Sequence, residues 1–376
     1  MSRTYLDNAA ATPCFPDAIE AFGNMALRHS ANIESEHLAG QEARNELSAL
    51  GTSALSLLGA PSGSRVSWFP SATDAIVSLA TLPASRGGNA VSTRTEHPAV
   101  MEMMSTLAAH GTEVRFVPVL ANGLADPDAF AKALDPKTKM VALTHVNSET
   151  GVMQDLCALG NLVRARAPNA TLFVDTVQAA GRFAIPWSAG IDLAVIGGHK
   201  IGSPCGGMLV SCGRISEGVD RLFRKLRLED HAIGRADLPA AAAFCAALRK
   251  SCGLMGGLDR IAGLDRRLRD GLVSLPAYGA KIKFTAERNV SPFIVSFRIS
   301  GYQGATLARM LGEAGIMVSS GSACESAKKG PSRVLSAMGI PDADAYGALR
   351  VSFWYDSTES DVDAFLAALP RALESY

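Results

Sequence analysis

The chain has 376 residues, 48% of them hydrophobic and 19% charged, with 36 Lys+Arg against 36 Asp+Glu. That length allows a large buried core and suggests two domains rather than one. The balanced charge gives no reason to expect nucleic acid or an anionic membrane as partner; the amino terminus MSRTYLDNAA lacks an apolar signal core, and no run approaches a membrane span, so a soluble, cytoplasmic chain is expected.

The chain opens with Tyr5-Leu6-Asp7-Asn8, a small-residue run Ala9–Ala11, and Thr12-Pro13. Pro16-Asp17 introduces a helical pattern over Ala18–Leu27, and His29-Ser30-Ala31-Asn32 reads as a loop. Leu38, Leu47, Leu50, Leu55 and Leu58 then recur at helical spacing, predicting a long helix from about Ser35 to Leu58. Val66–Phe69 is a short strand, followed by Pro70-Ser71-Ala72-Thr73 and a helical stretch, Asp74–Thr81. A strand, a small-residue turn and a helix start make an anion site through free N–H groups, and the same pattern also describes an ordinary capped helix. Ala90–Ser92 is a strand leading to Thr95-Glu96-His97-Pro98-Ala99 and a helix, Val100–Ala109; His97 there is either a cap or a rim-side catalyst. Strands over Val114–Val119 and Met140–Leu143 continue the alternation, the second running into Thr144–Gly151. Strand–helix repetition of this kind predicts a mostly parallel sheet with helices on both faces.

Residues 171–210 hold two apolar runs that each end in polar residues. Thr171–Val174 runs into Asp175, with Gln178 three residues on, and Asp192–Ile196 breaks at Gly197-Gly198 before His199-Lys200. Ligands of open α/β sheets sit beyond the carboxyl ends of the strands, so neighbouring strands would present Asp175 and Lys200 on one rim. That pair suits pyridoxal phosphate (PLP). The lysine can carry the cofactor as a Schiff base, and the carboxylate can keep the ring nitrogen protonated. Gly197 and Gly198 would let the backbone approach a bulky cofactor. Each residue has an ordinary alternative, Asp175 as a helix cap and His199-Lys200 as a solvated strand end.

Beyond residue 210, the charged stretch 214–233 reads as an exposed loop or subunit-contact segment. Helices are predicted over Leu238–Leu248, Leu254–Leu275, Gly304–Ala314 and Ser360–Leu373, with a helix start in 330–339. Strands are predicted over Phe293–Ile299, Ile316–Ser319 and Leu349–Phe353. Seven cysteines are scattered without a C-x-x-C pair, which indicates neither a disulfide framework nor a zinc site; most should be small buried hydrophobes. Cys324 differs. It lies in Ser319-Ser320-Gly321-Ser322-Ala323-Cys324-Glu325-Ser326-Ala327-Lys328-Lys329-Gly330, where small residues and two lysines suit a mobile, reactive thiolate. Arg350 could grip a substrate carboxylate bidentately, or be a surface arginine.

Together these features resemble the cysteine desulfurases of the subgroup typified by the nitrogen-fixation and iron–sulfur-cluster enzymes, PLP enzymes of the class V aminotransferase superfamily. The resemblance spans essentially the whole chain and rests on Tyr5–Ala10, Asn32…His37…Gly40…Ala43-Arg44, Ala72-Thr73, Thr95-Glu96-His97, Val174-Asp175…Gln178, His199-Lys200, Ser319–Cys324 and Arg350-Val351-Ser352. It implies an α/β chain of PLP fold type I: a large PLP-binding domain over about 15–250 with a mostly parallel mixed sheet, and a smaller α+β domain from 1–14 and 251–376 carrying the cysteine loop. It implies catalysis by Lys200, Cys324 and His97. It further implies cofactor contacts from Ala72, Thr73, His97, Ser148, Asp175, Gln178, His199, Lys200 and Arg235, and substrate contacts from Arg350 and Asn32, with no metal. The implied partners are L-cysteine, a second copy in a homodimer, and a sulfur-acceptor protein. L-cysteine would yield alanine and a persulfide on Cys324.

Several positions depart from that pattern. Gly197 stands where the family has a phosphate-binding serine, and Ser148 where it has a second asparagine. Ala232-Ile233-Gly234-Arg235 replaces an Arg-x-Gly-Thr segment, and Trp354 replaces a glycine. Arg235 could offset lost phosphate hydroxyls through a charge-assisted contact. These departures leave room for a selenocysteine lyase, another C–S lyase or an aminotransferase, or for a catalytically quiet PLP-binding regulatory paralogue.

Overall fold

The computed structural model describes residues 3–82, 86–228, 237–321 and 330–376. Its strands are, in chain order, β1 (Thr4–Tyr5), β2 (Arg65–Phe69), β3 (Asn89–Thr93), β4 (Glu113–Val117), β5 (Thr138–Thr144), β6 (Thr171–Asp175), β7 (Leu193–Gly197), β8 (Gly207–Ser211), β9 (Ile282–Phe284), β10 (Ile294–Ile299), β11 (Ile316–Met317), β12 (Ser319–Ser320) and β13 (Ala348–Ser352). Seven of them form one sheet in the order β2-β8-β7-β6-β5-β3-β4. Every pairing in it is parallel except the two made by β8.

The apolar runs of this sheet follow the two-residue period of a strand with both faces buried. Leu172, Val174, Ala194, Ile196, Met208 and Val210 point into one core, closed by the helices Leu156–Arg166 and Leu238–Leu254. Phe173, Leu193, Val195 and Leu209 point into the other, closed by Pro98–Ala109 and Ser216–Leu228. Because β8 is antiparallel to both neighbours, β2 runs the same way as β7. The carboxyl ends of β2, β3, β5, β6 and β7 therefore share one rim.

A third core joins Leu6 and Ala9 to residues between Ile261 and Leu373. It backs an antiparallel sheet ordered β12-β13-β10-β9, and β1 pairs with β11 beside it. Asp7 bridges to Ser352, which stitches the amino-terminal segment to β13.

Three expectations need correction. Residues 216–228 are helical rather than looped: Val219 and Phe223 are buried, with Phe223 set edge-on to Phe69 at 5.2 Å between ring centroids. The stretch Ile316–Ser319 is two strands in two sheets, divided at Val318. Among the described cysteines only Cys212 and Cys245 are buried, and Cys14 and Cys157 are exposed. Among the described residues no helix is long and apolar enough to cross a membrane.

Gly207 opens β8 at the rim, between Phe69 and Gly197. A Cβ there would lie 2.2 Å from the Ser71 carbonyl carbon and 2.5 Å from the Ala72 nitrogen. The obstacle is backbone, so no rotamer change relieves it. Gly207→Ala should destabilise the fold by about 2 kcal/mol or more, read as a lowered Tm. An unchanged Tm would refute this packing argument.

Candidate active site

The rim encloses a cavity of about 210 Å³, room for an organic ligand where a water in the liquid occupies roughly 30 Å³. Asp175 closes β6, and Lys200 follows β7 in the turn Gly198–Lys200, so the two parallel strands deliver them side by side. Asp175 is 5% exposed; its Oδ1 accepts the Val177 N–H at 2.9 Å. Burial pushes its carboxyl up to about 6, against the opposing pull of the Val177 N–H and the Lys200 charge. Lys200 Nζ donates to the Ala9 carbonyl at 2.8 Å and to that of Ala10. Gln178 Nε2 donates to the same Ala9 carbonyl, leaving Gln178 Oε1 buried without a hydrogen-bond partner. The amino-terminal strap thus holds both side chains against the cavity. Gly198 serves the chain rather than a ligand: a Cβ there would sit 2.2 Å from the Cys205 carbonyl oxygen.

His97 lies on the cavity wall and caps the helix Pro98–Ala109, its Nδ1 accepting the Ala99 N–H at 3.1 Å. With Nδ1 as acceptor, the neutral ring carries its proton on Nε2. Burial pushes its pKa down to about 4, helped by the Lys200 and Arg333 charges, so the ring is neutral at physiological pH. Its neighbour Glu96 was not singled out by sequence, although it too lines the cavity. It is 2% exposed, and its carboxyl accepts from Thr93 Oγ1 at 2.7 Å and Thr144 Oγ1 at 2.5 Å. Burial pushes it up to about 7 despite those hydroxyls. Its place in the Thr95-Glu96-His97 run just past β3 is the sequence signal that could have assigned it a role.

Arg350 enters from β13 and is 3% exposed. Nη1 donates to the Ser148 carbonyl at 2.8 Å; Nη2 donates to Asp7 Oδ1 at 2.9 Å and Ser319 Oγ at 3.0 Å. Its Nε is buried without an acceptor. Asp7, which belongs to the Tyr5–Ala10 run but carried no assigned role from sequence, therefore sets the guanidinium plane from the amino-terminal strap.

Ala72, Thr73 and His199 also line the cavity. Ala72 is buried, whereas Thr73 and His199 are exposed. Gly197 has little room for a larger residue, because its Cβ would lie 3.3 Å from Ala72 Cβ. Ser148 lines the cavity through the turn that follows β5.

The structure does not bring Asn32 to the cavity. It lies on an exposed turn, where its Oδ1 accepts the Glu34 N–H at 3.1 Å. The surrounding motif is self-contained: His37 caps the helix Leu38–Leu57 by accepting from Gly40 N–H, and Arg44 Nη1 binds the Ile33 and Ser35 carbonyls. Cys324, Ala232 and Arg235 lie outside the described residues.

A family model for class-V aminotransferases matches residues 4–216 and 234–365. The chain belongs to that family. It is 30% identical to a cysteine desulfurase of Cereibacter sphaeroides, over 100% of this chain and 96% of the relative. A cysteine desulfurase of Gluconacetobacter diazotrophicus is also 30% identical, over 98% and 93%. The NifS-like protein of Rickettsia africae shares the fold, with a TM-score of 0.83 at 21% identity and 99% coverage of both chains. Class-V aminotransferases of this kind have fold type I and depend on PLP. The cavity of this family member suits that cofactor. Asp175 is a buried carboxyl without an ion pair among the described residues, a place for a cationic ring nitrogen. Gln178 Oε1 and Arg350 Nε are orphaned polar atoms of residues lining the same cavity.

Proposed function

We propose that the protein is a cysteine desulfurase that converts L-cysteine and its own Cys324 thiol into L-alanine and a Cys324 persulfide. The observation that carries this reading is the placing of both flanks of the Cys324 segment against the cavity that holds Lys200 and Asp175. On the amino-terminal side, Ser319 Oγ contacts Arg350; on the other side, Val334 lines the cavity wall. Five residues separate Ser319 from Cys324 and span at most about 18 Å, so the chain length ties a thiol at position 324 to the neighbourhood of a substrate held by Arg350.

PLP, when bound, supplies a ring able to take up the electron pair released at the substrate α-carbon. Lys200 would hold the cofactor covalently, and its amine moves the α-proton. Asp175 holds a proton on the ring nitrogen. His97 serves as a proton donor rather than a base, because its Nδ1 is spent on the helix cap and its hydrogen sits on Nε2. Arg350 offers the substrate carboxylate its unpartnered Nε–H, while Asp7 and Ser319 keep Nη2 fixed. Ala72, Thr73 and His199 would hold the phosphate, and Ser148 would contact the cofactor. Arg235 would add a cationic contact to the phosphate, and Asn32 would act on substrate only if a second copy presents it. The same reading includes a homodimer, a cytoplasmic location and a protein that accepts the persulfide sulfur for iron–sulfur-cluster assembly.

The test combines product and covalent state. Wild-type protein should release alanine from L-cysteine without a keto acid and carry a labelled persulfide at Cys324. Cys324→Ala should keep the cofactor's absorption band and lose persulfide, with turnover down roughly a hundredfold or more, in the range for removing a nucleophile or proton-transfer group. Turnover that depends on a keto acid would make the protein an aminotransferase instead. Undiminished sulfide release by Cys324→Ala under physiological reductant would remove Cys324 from the reaction.

A further inference from the structure

The turn Arg94–Glu96 exposes three consecutive carbonyls after β3, and each is taken by a side chain from a distant element. Asn147 Nδ2 donates to the Thr95 carbonyl at 2.7 Å. Arg333 takes both flanking carbonyls, donating to that of Arg94 through Nη1 and to that of Glu96 through Nη2 at 2.7 Å. We infer that Arg333 is a positioning residue for His97, fixing the backbone from which that ring is hung. The inference rests on the proposed reaction, in which His97 acts as proton donor.

Three features make the clamp rigid at both ends. Ser332, which precedes Arg333, donates from Oγ to Glu149 Oε2 at 2.5 Å and accepts the Leu335 N–H at 3.2 Å. Asn147 is itself fixed, its Oδ1 accepting the backbone N–H groups of Glu149 and Thr150. The Glu96 carbonyl belongs to the peptide bond that ends on His97 N, and the ring is locked to the backbone that follows, since it accepts from Ala99 N–H while the His97 carbonyl accepts from Val100 N–H at 2.9 Å. A shift of the Glu96 carbonyl therefore becomes a shift of the imidazole. A cation at this position also opposes protonation of His97, consistent with the neutral ring. Arg333 reaches the turn from the carboxyl-terminal half, next to Val334 on the cavity wall. The placement of His97 is thus tied to that half of the molecule. A planar fork matches two carbonyls two residues apart in a way an ammonium cannot.

The experiment uses full-length PLP-loaded protein with Arg333→Ala, Arg333→Gln and Arg333→Lys. Misplacing a reacting group by about 1 Å can cost 10²-fold. Arg333→Ala should therefore lower kcat for alanine formation roughly 10- to 100-fold with KM within about twofold, and Arg333→Lys should recover part of the loss. Amide hydrogen exchange at residues 99–101 should accelerate in Arg333→Ala and less in Arg333→Lys. Unchanged kcat together with unchanged exchange would overturn the inference, as would an effect confined to KM. Should Arg333→Ala fail to fold, the other two variants decide, and wild-type kcat in Arg333→Gln would sink it. If the wild-type protein makes no alanine, the proposed reaction fails, while exchange at 99–101 still reports on the clamp.

Discussion

Lys200→Ala is expected to lower alanine formation from L-cysteine by roughly 10³–10⁴-fold, the upper range for losing a proton-transfer group that also holds the cofactor. The size of the effect follows from the geometry. Lys200 is 8% exposed and reaches the cavity from the end of β7, one strand over from Asp175. Among the described residues no other lysine lines that cavity. The stability cost should be modest by comparison. The Ala9 carbonyl keeps its bond from Gln178 Nε2, and only the Ala10 carbonyl is left without the ammonium. Losing such a bond costs about 1–3 kcal/mol. Lys200→Arg separates the roles, since a guanidinium retains the charge but cannot hold the cofactor covalently. Both variants should fold and neither should yield a borohydride-trapped cofactor on residue 200. Turnover within tenfold of wild type, or a trapped lysine elsewhere in the chain, would refute this assignment.

Much of that site is legible in the sequence because its residues stand where apolar runs stop. Asp175 and Lys200 follow β6 and β7, and His97 follows β3, so the rule that parallel sheets bind ligands beyond their carboxyl ends brings them together. Its limits are physical as well. The helix Ser216–Leu228 places Val219, Leu222, Phe223 and Leu226 at helical spacing, yet Arg, Lys, Asp and Glu on its outer face make the stretch read as a loop. The run Gly207–Ser211 gives no hint that it lies antiparallel between β2 and β7, because strand order is set by packing across the whole sheet. The roles of Asp7 and Arg333 were hidden for the same reason. Their partners, Arg350 and the carbonyls of Arg94 and Glu96, lie 343 and more than 230 positions away. Glycine 198 was read as making room for a ligand, when its close neighbour is the Cys205 carbonyl.

Asp175→Asn should move activity and stability in opposite directions. Removing the charge that holds the ring nitrogen protonated should lower turnover roughly 10²–10³-fold, the range for deleting a group aimed at developing charge. The cofactor-free protein should nevertheless become more stable at neutral pH. Burial raises the Asp175 carboxyl from 3.8 to about 6 in the folded state, so between those values the folded chain binds more protons than the unfolded one. Stability is then fully present below about pH 4 and declines as pH rises through about 6, a penalty of about 3 kcal/mol once complete. An amide carries no charge to desolvate. Urea unfolding of cofactor-free protein should therefore find Asp175→Asn more stable than wild type at pH 7.5, with the gap closing toward pH 4. A residual decline toward pH 7 should persist in both proteins, because Glu96 is raised in the same way, to about 7. Bound cofactor should close the gap from the other side, since a cationic ring nitrogen offsets the buried carboxylate in wild type and finds no charge to meet in the variant. Equal stability of the two cofactor-free proteins at pH 7.5 would mean that Asp175 is hydrated rather than held in a dry site, and the case for a cationic partner there would fall with it.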